Sequence, residues 1–251
     1  MLTQTKSNAK NLKLSQKLFV LVLMLFLGTI GVSGVALASI FNRNAENEIT
    51  AKALILITNM TSVMQYTSSQ VNPVLEENLS TEFLPEAIPS YSAQQVFENF
   101  RSFPEYNEFS YKSATLNPSN LRDKADSFET KIVEQFRSDK NLTELSGFRD
   151  TPRGKLFYIA QPSIVTKPSC LKCHSVPEVA PQSMIDYYGS ENGFGWQLNE
   201  IVGTKIVYVP ANQVFVRTRD SFFKLLAMII VVFAITLGWL KFWLNRYFST
   251  L

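Results

Sequence analysis

The chain has 251 residues, 46% of them hydrophobic, with 24 basic and 21 acidic side chains. The bases crowd the ends, four Lys within 1–17 and three bases within 222–251, which leaves 42–221 mildly acidic with 17 bases against all 21 acids. That balance excludes a basic nucleic-acid face, and two Cys with one His, all inside residues 170–174, exclude iron–sulfur sites and zinc sites built from several Cys or His.

In chain order, residues 1–17 form a Lys-rich start, which predicts a cytoplasmic N-terminus. Residues 18–42 carry no charged side chain. As a helix they measure about 38 Å, enough to cross a hydrocarbon core of about 30 Å with some tilt. Ala36-Leu37-Ala38 before Ser39 also fits a signal-peptide cleavage site. The apolar stretch exceeds a usual signal core, which favours an uncleaved anchor. On either reading the middle of the chain is expected to be exported.

From Asn44 to about Leu79, steps of three and four among Ile49, Ala53, Leu56, Met60, Met64, Thr67, Val71 and Val74 predict one long helix continuous with the span. Ser92 and Gln95 match a capping box, opening a helix that buries Val96, Phe97 and Phe100. Tyr106–Tyr111 has strand character. The turn Asn117-Pro118-Ser119-Asn120 feeds a helix over 121–138, with Ala125, Phe128, Ile132 and Phe136 on one face. Leu142–Arg149 and Leu156–Val165 are predicted strands, 168–200 is rich in Pro and Gly, and Gly203–Val209 is a last strand. After Pro210 the chain turns helical and enters a second apolar run, Leu225–Leu240. This run reaches spanning length with its flanks, and Trp239, Trp243 and Tyr247 suit an aromatic belt.

The expected organisation is a cytoplasmic start (1–17), a first transmembrane helix (18–42), an exported domain (43–213), a second transmembrane helix (222–245) and a cytoplasmic tail (246–251). The exported domain reads as α+β, a small antiparallel sheet with helices against it and a long N-terminal helix ahead.

Cys170-Leu171-Lys172-Cys173-His174 is C-x-x-C-H, the attachment pattern of c-type haem. Two thiols add across the two porphyrin vinyl groups. Two intervening residues let one turn of chain span that edge, and the adjoining His falls under the iron as proximal ligand. A thioredoxin-type pair would need a strand–helix context rather than this Pro-rich loop. A zinc site would need more ligands. One covalently bound haem c is therefore the expected cofactor, held by Cys170 and Cys173 with His174 on the iron.

With no second His, the distal position falls to another group. Met60 is the first candidate and Met64 the second, since they lie four apart on one face of the leading helix. Against this stands the ordinary role of Met as core filler, which also covers Met184; Tyr66 or an open position are further options. Lys172 and Lys155 read as solvated or near propionates. No catalytic Ser/His/Asp set or phosphate-binding loop is present in the sequence, so no enzyme is expected.

Several patches across 44–213 resemble a known family of exported c-type-haem domains with a PAS-like fold, common in cyanobacteria and proteobacteria and first catalogued as a domain of unknown function. They are Met60 with Tyr66 and Pro73; Ile88-Pro89-Ser90-Tyr91; Tyr111 to Asn120; Cys170 to His174; Ala180-Pro181; Tyr188-Gly189; Gly193-Phe194-Gly195-Trp196; and Val207-Tyr208-Val209-Pro210. The resemblance implies a central antiparallel sheet with haem bound against it and use as the sensing input of membrane signalling proteins. Some members place an axial Cys on the leading helix; here neither Cys lies there, and Met60 stands in by position. Signalling members often continue past the second span into an output module, about where Leu251 falls.

Two functions are expected as alternatives: a redox or gas sensor in the bacterial inner membrane with its haem domain on the periplasmic side, or an electron-transfer cytochrome passing single electrons to an exported partner. The expected partners are the membrane, a signalling or redox protein, and a second copy in a homodimer, with no nucleic acid.

Overall fold

A computed structural model of the chain describes residues 14–75, 82–152 and 154–248. Lys6, Lys10 and Lys13 of the basic start, the end of the leading helix near Leu79, and the last residues of the tail lie outside them, as does the side chain of Tyr247. The chain divides into two units, residues 1–46 with 213–251, and residues 47–212.

The first unit is built from the beginning of α1 (Leu14–Tyr66) and nearly all of α7 (Ala211–Phe248). Both are long and apolar enough to cross a membrane, and neither apolar window is buried. By length and composition alone, each could span a bilayer. Phe26 meets Phe233 edge-on at 4.1 Å, and Phe41 meets Phe222 at 6.1 Å, so the helices pair antiparallel. The hydroxyls of Thr29 and Thr236 donate to the carbonyls of Leu25 and Val232 one turn back. A hydroxyl satisfied in this way costs little in an apolar environment.

The second unit is α+β, as expected. Four antiparallel strands, β1 (Ser110–Thr115), β2 (Leu145–Thr151), β3 (Gly154–Ile164) and β4 (Ile201–Pro210), lie in the order β1-β4-β3-β2. β4 is interior and covered on both faces, which explains why it lacks the alternation of a half-exposed strand. On one face Ala114, Ala160, Ile206 and Tyr208 pack with Ile132, Val133 and Phe136 of α4 (Ser127–Ser138). On the other, Tyr111 meets Phe97 of α3 (Pro89–Arg101) and Met64 of α1.

The leading helix is continuous with the first apolar run, as its pattern implied, but its stripe differs in detail. Ile49, Ala53, Ile57 and Met60 are buried, Leu56 is half-buried and Val74 is exposed. The helix widens into a π-helical stretch, Thr67–Val71, before a last turn, α2 (Asn72–Leu75). Pro73 explains the widening. It has no amide to donate and its ring crowds the carbonyl four residues back, so a helix that keeps going past it must loosen there.

The Ser92–Gln95 capping box does not form. Helix α3 begins at Pro89, whose fixed φ suits the first helical position, and Ser92 Oγ donates instead to the Glu86 carbonyl at 2.6 Å. Phe97 is buried as expected, whereas Val96 is exposed. The strand expected at Tyr106 starts later, because Pro104–Tyr106 form a 3-10 turn. The helix over 121–138 is split into a 3-10 turn, Leu121–Asp123, and α4, whose N-cap is Asp126 with a reciprocal bond from Glu129.

Candidate functional site

Pro168 opens a 3-10 turn, Pro168–Cys170, which passes into the single α-turn α5 (Leu171–His174). Residues three and four apart on a helical turn share a face. Cys170, Cys173 and His174 have that spacing, and both thiols are half-buried.

His174 is held on three sides by one segment. Its Nδ1 lies 2.7 Å from the Gly193 carbonyl oxygen. A carbonyl can only accept, so Nδ1 carries the proton and Nε2 keeps the lone pair. The indole of Trp196 stacks on the imidazole at 3.9 Å and 14°. The backbone amides of Trp196 and Gly195 donate to the carbonyls of His174 and Ser175 at 3.1 and 2.8 Å. Burial pushes the His174 pKa below its ordinary value, and the bond to Gly193 only partly opposes this, so the ring is neutral near pH 7.

The bracing segment depends on two glycines in the left-handed region, Gly193 (φ 89°) and Gly195 (φ 82°). A side chain on Gly193 would also collide with the Ser119 backbone. Asn117 Nδ2 donates to the Phe194 carbonyl at 3.3 Å. The Asn-Pro-Ser-Asn turn and the Gly-Phe-Gly-Trp segment, distant in sequence, thus meet behind His174. The sequence alone assigns neither patch a role at the site; the flanking glycines are the one signal it holds.

A face of α1 looks onto the same region. Thr61 Oγ1 accepts from Lys205 Nζ of β4 at 3.1 Å, Met64 Sδ from the Tyr111 hydroxyl of β1 at 3.6 Å, and Ser68 Oγ from Lys167 Nζ at 2.8 Å. Lys167 stands three residues before Cys170, so the chain entering the motif is tied to the π-helical stretch that continues α1. Tyr111 also shares a hydrogen bond with Ser113, and burial pushes its phenol up to about 12. Met60 is 5% exposed and Met64 half-buried. At 100° per residue they lie about 40° apart around the helix. Met184 is buried on α6 (Gln182–Tyr188). Tyr66 is exposed, Lys172 is exposed, and Lys155 sits over the Phe148 ring at 5.3 Å.

Behind the sheet, α4 carries a separate polar network. Glu129, nearly fully buried, accepts from Lys112 Nζ at 2.8 Å and from the Tyr208 hydroxyl at 3.0 Å. Arg149 bridges Tyr208 and Asp126. This network sits on the α4 face of the sheet and fixes α4 rather than the motif.

Among the described residues no three His, Cys, Asp or Glu side chains converge on a point that could cage a bare metal ion. A porphyrin iron asks for less, since the macrocycle brings its own equatorial nitrogens. One neutral imidazole with a fixed tautomer, flanked on its helical face by two thiols, is the donor set such a group requires.

The crystal structure of the cyanobacterial heme-protein Tll0287 is similar to this chain, with 16% identity over 65% of this chain and 95% of that one and a TM-score of 0.48. No curated protein matches the chain. A family model described as Tll0287-like matches residues 42–210, from the leading helix through the last strand. By that match, which takes in the motif and every element that braces it, the chain belongs to the Tll0287-like family.

Proposed function

We propose that the protein is a membrane-anchored, single-haem c-type cytochrome domain that senses redox state or a small gas. The observation that carries this reading is His174: in a C-x-x-C-H turn, its Nδ1 is committed to Gly193 and its Nε2 is left with a lone pair. Tll0287, from which the family takes its name, is a heme-protein. Cys170 and Cys173 would hold the porphyrin as thioethers. Each thiol would add across one vinyl double bond, sulfur to one carbon and its proton to the other, an addition that loses no atom and needs no oxidant. His174 would be the proximal ligand, with Gly193 and Trp196 fixing its tautomer and plane. Met60 is the proposed distal ligand, and Met64 the second choice.

The bound iron would supply a one-electron couple and, where its distal position opens, a place for a small neutral gas. The residues around it couple that event to the helix. Thr61 and Met64 of α1 and Ser68 of the π-helical stretch bond to the sheet and to the segment entering the motif, and Met60 is buried one turn before Met64, so a change in distal ligation would act on the helix that continues into the apolar run. The antiparallel pairing of the two apolar helices supports a membrane hairpin, and the Lys-rich start supports a periplasmic side for the intervening domain. No catalytic activity is proposed; the proposed partners are the membrane, a signalling or redox protein, and a second copy in a homodimer.

Electron transfer is the second reading, favoured by the burial of Met60, because His/Met ligation raises the potential and a closed distal side keeps the iron low-spin. Spectra of the full chain, made with haem-maturation machinery, separate the two. Ligand exchange on reduction or avid NO binding supports sensing. A low-spin spectrum in both states, indifferent to CO and NO, supports electron transfer. The reduced pyridine haemochrome and the intact mass test the cofactor itself. A mass equal to the polypeptide alone would sink the proposal.

A further inference from the structure

Two lysines of the central sheet contrast sharply. Lys112 of β1 faces α4, where its charge meets the Glu129 carboxylate at 2.8 Å. Lys205 of β4 faces α1 and is half-buried, and among the described residues its one hydrogen bond is to a neutral hydroxyl, Thr61 Oγ1. Its partners across the strands are Ser113 and Gln161, neither of them charged. Among the described residues no carboxylate lies within ion-pair distance of it. Withdrawing an ammonium from water without an anion is costly, and burial pushes its pKa down.

We propose that Lys205 is the binding residue for a haem propionate, pairing with a carboxylate that the cofactor brings to the face of the sheet beside α1. This rests on the proposed haem site and adds the group that neutralises the edge of the porphyrin remote from its thioethers. Propionates leave the porphyrin opposite the vinyl groups, so the cation that meets them must lie away from the cysteines. Lys167 fails that condition, since it is three residues from Cys170 and is tied to Ser68. Lys205 meets it. Its contact on α1 is Thr61, seven residues and so about 10 Å along the helix from Ser68, a separation on the scale of a porphyrin. Met64 lies between the two contacts on the same face.

The pairing has a sign. A propionate left without its cation places extra negative charge near the iron, which stabilises the oxidised state and lowers the reduction potential.

The test uses the full chain in detergent, made with haem-maturation machinery, with 13C in the haem propionate carboxylates. Intact mass first establishes that haem is attached in wild type, Lys205→Met, Lys205→Arg and the solvent-facing control Lys155→Met. Infrared redox-difference spectra then read the labelled carboxylate, and a titration reads the midpoint. The expected result is a shifted carboxylate band and a more negative midpoint in Lys205→Met, a smaller band shift with a near-wild-type midpoint in Lys205→Arg, and neither change in Lys155→Met. Should Lys205→Met fail to fold, the band shift in Lys205→Arg decides, because it keeps the charge and alters only the bond geometry. A labelled band unmoved by either Lys205 variant in haem-loaded protein overturns the assignment alone. Wild type that gains no haem mass removes the haem reading, and this assignment with it.

Discussion

At the scale of single residues, the chemistry concentrates on His174 and on the groups that fix it. His174→Ala leaves both thiols in place, so the variant is expected to keep the full mass of an attached haem while losing the strong-field spectrum that imidazole supplies. Mass and absorbance on one sample check both halves. Met60→Ala is expected to move the spectrum towards high spin while Met64→Ala leaves it unchanged; the opposite pattern would transfer the distal role to Met64, whose sulfur already accepts from Tyr111. Gly193→Ala is expected to disturb the proximal side, since the residue sits at φ 89° and against the Ser119 backbone. Its signature would be a displaced Soret band with a lowered melting temperature. The motif residues could be read directly from the chain because C-x-x-C-H is local: one helical turn brings it together. Trp196, Gly193 and Asn117 could not, since their role exists only once segments remote in sequence have packed.

At the scale of elements, α4 offers the sharpest stability test. Asp126 caps its amides at 2.9 Å from both Phe128 and Glu129, and accepts from Arg149 at 2.7 Å. Asp126→Ala is expected to cost about 1 kcal/mol, read as a lower melting temperature. Burial would raise the Asp126 pKa, yet the Glu129 amide, Arg149 and the Phe128 amide together hold it below its ordinary 3.8. The stabilisation is therefore complete above about that value and is lost as pH falls through the lowered pKa. Asp126→Asn should accordingly flatten that part of the acid limb of the melting profile, and an unchanged limb would show the carboxylate to be uncoupled from folding. Removing Glu129 is the harsher change. Glu129→Ala leaves the Lys112 ammonium on the Lys124 carbonyl without its anion and takes the acceptor from the Tyr208 hydroxyl, at a cost of about 3 kcal/mol. These elements also show where pattern reading fails. Ser92–Gln95 and Asp126–Glu129 both fit a capping box, but only the second forms, because Pro89 starts α3 before Ser92 can serve as a cap. Periodicity placed the leading helix and missed its π-helical stretch, since hydrophobic spacing does not register one proline's missing donor.

At the scale of the whole molecule, the two apolar helices bear on where the protein resides. The full chain is expected to stay with membranes after carbonate extraction, and its intact mass to include residues 1–38; a mass lacking them would make the first apolar run a cleaved signal. Composition and order alone were enough to establish an α+β domain between two apolar runs, carrying one site where both Cys and the only His adjoin. Those are properties of neighbouring residues and of charge distribution, which the chain possesses before it folds. Tertiary structure decided the rest: which ring nitrogen of His174 keeps its lone pair, which face of α1 meets the sheet, and that among the described residues Lys205 is half-buried without a carboxylate while Lys112 has one. Each depends on groups 17 to 144 residues apart in sequence and their final spacing, and strand register with helix packing is the physical agent that sets it.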